Sequence, residues 1–320
     1  MCCMELVGID DIRAAAKRID GTVQRTTLLP ANWAVPDRPL WIKPEGFQAI
    51  GAFKVRGAAN ALARLDESAR ANGVVAYSSG NHAQAVAHAA RAAGLPAVIV
   101  IDDTAPPTKI EATRALGAEV VLVPLAQRQR VAEDLARIRG AALIPPFDHP
   151  DVIAGQGTIG LEIAEDLPDV ELVLIPVSGG GLAAGIAVAI KALCPNATVF
   201  GVEPELAGDA AASYAAGHLV RWPSTERVRT IADGLRAEPS ELTFAHLRTL
   251  LDGILTVSED EIRAAMRQLA HGSGLVAEPA GAVATAAYLY RQDDLPAGRT
   301  VAVLSGRNVD KDLFAEVMRS

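Results

Sequence analysis

The sequence predicts an α/β protein with two open parallel-sheet lobes, and three observations point there. Short β-rich runs alternate with Ala-rich helical stretches along the chain. The strand runs are continuously apolar, as in parallel strands covered on both faces. Helices close on glycine, as at Gly94 and Gly117. The 320 residues, 50% of them hydrophobic, suffice for a buried core divided into two lobes.

Taken in order, Val74–Tyr77 precedes a helix over Asn81–Ala93, and Ala97–Ile101 precedes one over Pro107–Leu116. Glu119–Val123 precedes Val131–Arg139. A second series starts with Leu172–Val177, a glycine-rich turn and the helix Ala183–Leu193. It continues with a strand at Val199–Val202, helices at Glu259–His271 and Pro279–Tyr290, and a last strand at Thr300–Leu304. This density of alternation means α/β architecture. It places a small, mobile lobe over 67–144 and a large lobe over 1–66 and 145–320.

Thirty Lys and Arg stand against 38 Asp and Glu, for a net charge of −8. With no strongly basic stretch, nucleic acid and anionic membrane surfaces are not expected partners. The three cysteines, Cys2, Cys3 and Cys194, lack metal-ligand spacing, which makes a reducing cytoplasm the expected location. No signal peptide is expected. The longest apolar runs, such as Val170–Val177, are too short to span a bilayer.

Four segments carry candidate chemistry. In Lys43-Pro44-Glu45-Gly46-Phe47-Gln48-Ala49-Ile50-Gly51-Ala52-Phe53-Lys54-Val55-Arg56-Gly57, a lysine sits among small and aromatic residues. An amine on an apolar segment can have its pKa lowered, which suits Schiff-base chemistry. The same lysine also reads as a surface residue snorkelling its charge. Ser78-Ser79-Gly80-Asn81-His82 follows a strand and opens a helix, where it can cap that helix or meet an anion. Ser178-Gly179-Gly180-Gly181-Leu182 forms either a phosphate cradle of bare N–H groups or a tight turn. The spacing of Gly179, Gly181 and Gly185 is one residue too long for a dinucleotide fingerprint, so a NAD-binding reading is disfavoured. Ser305 ends the last strand, where open α/β sheets bind ligands; a turn residue is the alternative.

Together, in this order, the segments resemble fold-type II pyridoxal 5′-phosphate enzymes (tryptophan synthase β-like). More specifically, they resemble the serine/threonine dehydratase family and its serine racemase and 3-hydroxyaspartate dehydratase-like subgroup. Ile153-Ala154-Gly155-Gln156-Gly157-Thr158, Ile231-Ala232-Asp233-Gly234 and Glu278-Pro279-Ala280-Gly281 extend the resemblance, which runs from about Ile12 to Asp310. It implies that Lys54 carries the cofactor as a Schiff base and moves the Cα proton, with Phe53 beside the ring. It further implies that Asn81 meets the 3′-oxygen, that Ser178, Gly179, Gly180, Gly181 and Leu182 hold the phosphate, and that Ser305 meets the pyridine nitrogen. A neutral hydroxyl there makes the ring a weaker electron sink and favours β-elimination over transamination. Ser78, Ser79, Gly80 and Asn81 would bind the substrate carboxylate, with Arg128 nearby.

The implied activity is an ammonia-lyase converting L-threonine and L-serine to 2-oxobutanoate and pyruvate. Serine racemisation is an alternative, because Ser79 stands where the racemase subgroup has a serine facing Lys54 across the substrate; local hydrogen bonding is its other reading. Glu203 and Asp209, with the carbonyl of Ala207, match that subgroup's divalent-cation site, which with oxygen ligands suits Mg2+ or Ca2+. Ile50 and Arg307 depart from the family's usual Thr or Ser and Gly. Arg307 and Ile144-Pro145-Pro146-Phe147-Asp148-His149-Pro150 also resemble dehydratase-like proteins linked to hydroxyectoine breakdown, leaving 3-hydroxyaspartate or a hydroxyectoine-derived substrate open. A homodimer acting on a small amino acid is implied. A non-catalytic carrier of the cofactor or of a metabolite is the reading from another class.

Overall fold

The computed structural model describes residues 5–319; Cys2 and Cys3 lie outside them. In chain order the strands are β1 (Leu29–Pro30), β2 (Leu40–Pro44), β3 (Val74–Tyr77), β4 (Ala97–Asp102), β5 (Glu119–Val123), β6 (Ala142–Leu143), β7 (Leu172–Pro176), β8 (Thr198–Pro204), β9 (Gly253–Val257) and β10 (Thr300–Leu304). They form a larger sheet, β1-β2-β10-β7-β8-β9, and a smaller one, β5-β4-β3-β6. Every pairing is parallel except that of β1 with β2, where Leu29 faces Ile42 and Pro30 faces Trp41. The two parallel sheets agree with the expected fold class, and the short β1 adds one antiparallel edge to the larger sheet.

The larger sheet sorts its side chains with period two. Leu172, Leu174, Ala302 and Leu304 face the Pro279–Tyr290 and Glu259–Ser273 helices. Val173, Ile175, Val301 and Val303 face the Pro150–Asp166 and Gly181–Leu193 helices. With helices on both faces, the strands are mostly apolar on both sides and β7 is apolar at every position, as the sequence indicates, while Lys43 of β2 and Glu203 of β8 are buried charged exceptions. Edge strand β5 departs from this: Glu119 and Leu122 are exposed, because an edge strand keeps one side toward solvent.

Two helices not marked by the sequence reading are central. The Lys54–Ala63 helix buries Arg56 and Asn60 along with its apolar residues, so it has no polar stripe to announce it. Its Val55, Ala58 and Leu62 share a core with Val74, Ala76, Ile99 and Ile101 of the smaller sheet. On its other side it meets the Pro150–Asp166 helix at backbone distance: a Cβ on Gly155 would stand 2.6 Å from the Arg56 carbonyl oxygen. The glycine-loop helix begins at Gly181, two residues earlier than expected, because Gly180 (φ +86°) has already turned the chain.

A buried ionic network fixes the base of the lysine helix. Arg56 grips Glu45 through Nε and Nη2, each at 2.8 Å, and Glu162 through Nη1 at 2.6 Å and Nη2 at 2.8 Å. Lys43 bonds Glu162 at 2.6 Å and the Thr26 carbonyl. Two cations face two carboxylates, so the cluster is neutral, which is what makes burying it tolerable.

Candidate active site

The carboxyl ends of β2, β3, β7 and β10 lead into the segments singled out in the sequence, as expected for open α/β sheets. Lys54 is the first residue of its helix. Its Nζ donates to the Pro146 carbonyl at 2.7 Å and lies 5.0 Å from the centre of the Phe53 ring. Burial pushes its amine down to about 8. The snorkelling reading therefore does not hold for this lysine. His82 is buried close by, with Nε2 2.8 Å from the Ile144 carbonyl oxygen. Burial, with the charge of Lys54, pushes its imidazole down to about 3. A neutral His82 with its proton on Nε2 thus ties down the loop that also receives Lys54.

The segment before Lys54 is laced to the end of β10. Phe53 N donates to Ser305 O at 3.0 Å, Ala52 bridges Gly306, and Arg307 N donates to Gly51 O at 2.9 Å. Gly51 holds φ +74°, and a Cβ there would stand 2.3 Å from Asn308 Oδ1. Asn308 Nδ2 donates to Ile50 O at 2.8 Å and to Asn81 Oδ1 at 2.7 Å. Asn81 Nδ2 in turn donates to Glu278 Oε1 at 2.7 Å, and an amide nitrogen with two hydrogens keeps one for a ligand. Ser305 is buried, its Oγ a long 3.4 Å from the Ala280 carbonyl oxygen.

The loop Ser178–Leu182 packs under Phe147, the residue following Pro146. A Cβ on Gly179 would lie 2.3 Å from the Phe147 ring and one on Gly181 2.9 Å from its Cβ. First-turn N–H groups have no acceptor within their own helix, so Gly181, Leu182 and Ala183 present donors to an anion. Ser178 Oγ is committed elsewhere, donating to Ala237 O at 3.1 Å and accepting from Ala237 N at 2.9 Å. Its hydroxyl steadies the neighbouring loop.

Ser79 lies in the turn before the Asn81–Ala93 helix; within that turn Gly80 N donates to Ser78 Oγ at 3.2 Å. Arg128 Nη1 donates to Ser79 Oγ at 3.0 Å, and Ser79 Oγ donates to Asp102 Oδ2. The structure thus joins Ser79 and Arg128 through a carboxylate that the sequence reading omits. Asp102 ends an otherwise apolar strand, the one signal that could have exposed it. Glu278, His82 and Phe147 also lack a role in the sequence reading, although the motifs quoted there contain them, and so does Asn308, three residues beyond Ser305.

Farther along the larger sheet, Glu203, next to last in β8, accepts from Ala210 N at 3.4 Å and Ala211 N at 2.8 Å. Burial and the nearby Asp209 push its carboxyl well above the usual range. Asp209 is buried with neither carboxylate oxygen bonded, and burial lifts it to about 6. Two buried, mutually repelling carboxylates beside the buried Ala207 suit a hard cation. Among the described residues no group of three or more His, Cys, Asp or Glu side chains could hold a metal, so carbonyl oxygens would complete such a site.

Arg307 is exposed and lines a cavity of about 350 Å3 with Phe47, Val276 and Asn308. Ile50 is buried. No helix of the described residues is long and apolar enough to cross a membrane.

A half-buried, weakly basic lysine, a bare glycine loop on a helix N-terminus and a serine following a central strand define a pyridoxal-phosphate enzyme of fold type II. The chain belongs to the pyridoxal-phosphate dependent enzyme family, whose model matches residues 19–306. Within it, the chain is 39% identical over 314 residues to L-threo-3-hydroxyaspartate ammonia-lyase of Saccharomyces cerevisiae, covering 96% of this chain and 95% of that one. It is 42% identical over 319 residues to L-threonine ammonia-lyase of Thermotoga maritima, covering 98% and 78%. The structure of maize serine racemase superposes with a TM-score of 0.93 at 37% identity, covering 98% of each chain.

Proposed function

We propose that the protein is a pyridoxal 5′-phosphate-dependent ammonia-lyase converting L-threonine and L-serine to 2-oxobutanoate and pyruvate, with release of ammonia. The observation that carries this reading is the half-buried Lys54 amine, held 2.7 Å from Pro146 O on the loop that packs Phe147 against Gly179 and Gly181. The cofactor, when bound through Lys54, supplies conjugation that acidifies the Cα–H bond of an amino acid. With a substrate in place, the Lys54 amine would take the Cα proton as general base. Phe53 bounds one side of its space. The N–H groups of Ser178–Leu182 would hold the phosphate, the free Asn81 N–H would hold the 3′-oxygen, and Ser305 would hold the pyridine nitrogen. The turn Ser78-Ser79-Gly80-Asn81 holds the substrate carboxylate. Loss of the β-hydroxyl as water leaves an enamine that hydrolyses to the 2-oxo acid and ammonia.

The lobe over 67–144 closes over the substrate in this reading; Lys109, paired at 2.6 Å with Asp233 of the larger lobe, spans the gap. Glu203, Asp209 and the Ala207 carbonyl hold Mg2+ or Ca2+. The protein acts as a homodimer in the cytoplasm, the former tested by light scattering.

The test is 2-oxo acid release over a panel of β-hydroxy amino acids, with and without chelator, on cofactor-loaded protein. L-threonine and L-serine are the expected best substrates. Turnover confined to 3-hydroxyaspartate would redirect the reading, and a bound-cofactor absorbance band with no turnover on any panel member would leave a non-catalytic carrier.

A further inference from the structure

Asp102 closes β4, whose other five residues are apolar and buried, and is itself only 8% exposed. Oδ1 accepts from Thr104 Oγ1 at 2.8 Å, while Oδ2 accepts from Ser79 Oγ and lies 3.4 Å from Arg128 Nη1. Burial alone would push this carboxyl up. The hydrogen bonds from Ser79 and Thr104 and the charge of Arg128 outweigh it and hold Asp102 below the usual carboxylate range. Asp102 is therefore ionised at neutral pH, and an ionised carboxylate only accepts.

Ser79 has one hydroxyl proton, and a carboxylate partner obliges Ser79 to be the donor. Arg128 has no acceptor atom, so its 3.0 Å contact uses a lone pair of Ser79 Oγ. Both neighbours therefore agree on the hydroxyl's direction: its proton points to Asp102. What remains for the substrate is a lone pair.

Inversion at Cα needs the opposite. The Cα–H bond breaks with its proton going to Lys54, and a new Cα–H bond forms on the other face from the Ser79 O–H. That O–H breaks and leaves an alkoxide. Here the alkoxide would form against the Asp102 carboxylate, with Arg128 alone to offset two adjacent negative charges. Elimination makes no such demand on Ser79.

We propose that Asp102 is a positioning residue that turns the Ser79 proton away from the substrate and so biases the enzyme toward elimination and against inversion at Cα. This rests on the ammonia-lyase reading and on Ser79 lying beside the substrate. The test uses cofactor-loaded wild type, Asp102→Ala and the isosteric Asp102→Asn, with the bound-cofactor band reporting an intact site. From L-serine, D-serine and pyruvate are measured together, since their ratio is independent of enzyme amount and of a general loss of stability. General acids contribute about 10²–10⁴-fold, so a freed Ser79 should raise the D-serine to pyruvate ratio at least about tenfold in Asp102→Ala. Adding Ser79→Ala to that variant should cancel the rise.

L-Alanine provides a readout that does not depend on elimination, because it has no leaving group at Cβ. Formation of D-alanine should rise in the same variants. An unchanged D-serine ratio and unchanged D-alanine formation in both variants overturn the proposal. So does a rise that survives removal of Ser79. Failure of the ammonia-lyase reading shows separately, as absence of 2-oxo acid from every β-hydroxy amino acid, and D-alanine formation still decides the role of Asp102.

Discussion

Asn308 donates through Nδ2 to Asn81 Oδ1 at 2.7 Å, joining the end of β10 to the helix that follows β3 in the other sheet. Asn81 passes the connection to Glu278 at 2.7 Å. The two amides and the carboxyl form one chain, and the protonation of its last member is tied to the integrity of the site.

Burial, then the charge of Asp233, push Glu278 up to about 7 from an ordinary 4.5. The folded state thus holds this proton more tightly than the unfolded chain. The stabilisation is complete below about pH 4.5 and is lost as pH rises through about 7. Glu278→Gln removes that loss. Its stability relative to wild type, without cofactor, should grow by about 3 kcal/mol between pH 4.5 and 8, measured by urea unfolding. Neutral His82 contributes the reverse trend to both proteins, and it cancels in the difference.

Lys54, pushed down to about 8, is neutral and nucleophilic over a wider pH range than an exposed lysine. Uptake of pyridoxal 5′-phosphate by the cofactor-free protein should accelerate as pH rises toward 8 and level off above it, read by stopped-flow absorbance. Lys54→Ala should lose the bound-cofactor band. It should also lose 2-oxo acid formation by about 10²–10⁴-fold or more, with an unchanged circular dichroism spectrum.

Arg56→Ala leaves Glu45 and Glu162 without the cation that both bond. Breaking a buried pair from one side costs about 3–5 kcal/mol. Denaturant titration should show a loss of that order, with Lys43→Ala acting in the same direction.

Asp209, buried with neither oxygen bonded, makes the cation-free protein less stable than it could be. Mg2+ or Ca2+ at a hundred times its dissociation constant should raise stability by about 2.7 kcal/mol, and chelator should reverse this. Asp209→Asn should abolish the response while raising the melting temperature of the cation-free form. An unchanged melting curve in wild type on adding either ion would remove the site.

The sequence marks the strand ends best. Apolar runs such as Leu172–Val177 stop at a glycine or serine, and parallel strands bring those stops to one edge. It marks the Lys54 helix poorly, because Arg56 and Asn60 point into the protein and erase the two-faced pattern. Asp102 is invisible for a related reason: an acid after five apolar residues reads as the end of a strand, and its partners Ser79 and Arg128 lie 23 and 26 positions away. Glu278 stands inside a recognisable motif and Asn308 just beyond Ser305, yet their meeting with Asn81 spans 197 and 227 positions and exists only once the sheets have formed.

Arg56, two residues beyond the reactive amine, is locked among charges from which water is excluded. Mobile ions screen exposed pairs over about 8–10 Å at ordinary salt but do not enter such a cluster. Raising the ionic strength should therefore leave the placement of Lys54, and turnover at saturating substrate, nearly constant, while surface pairs such as Lys109 with Asp233 weaken. The molecule is built so that its working centre ignores the electrolyte around it and only its outer seam responds.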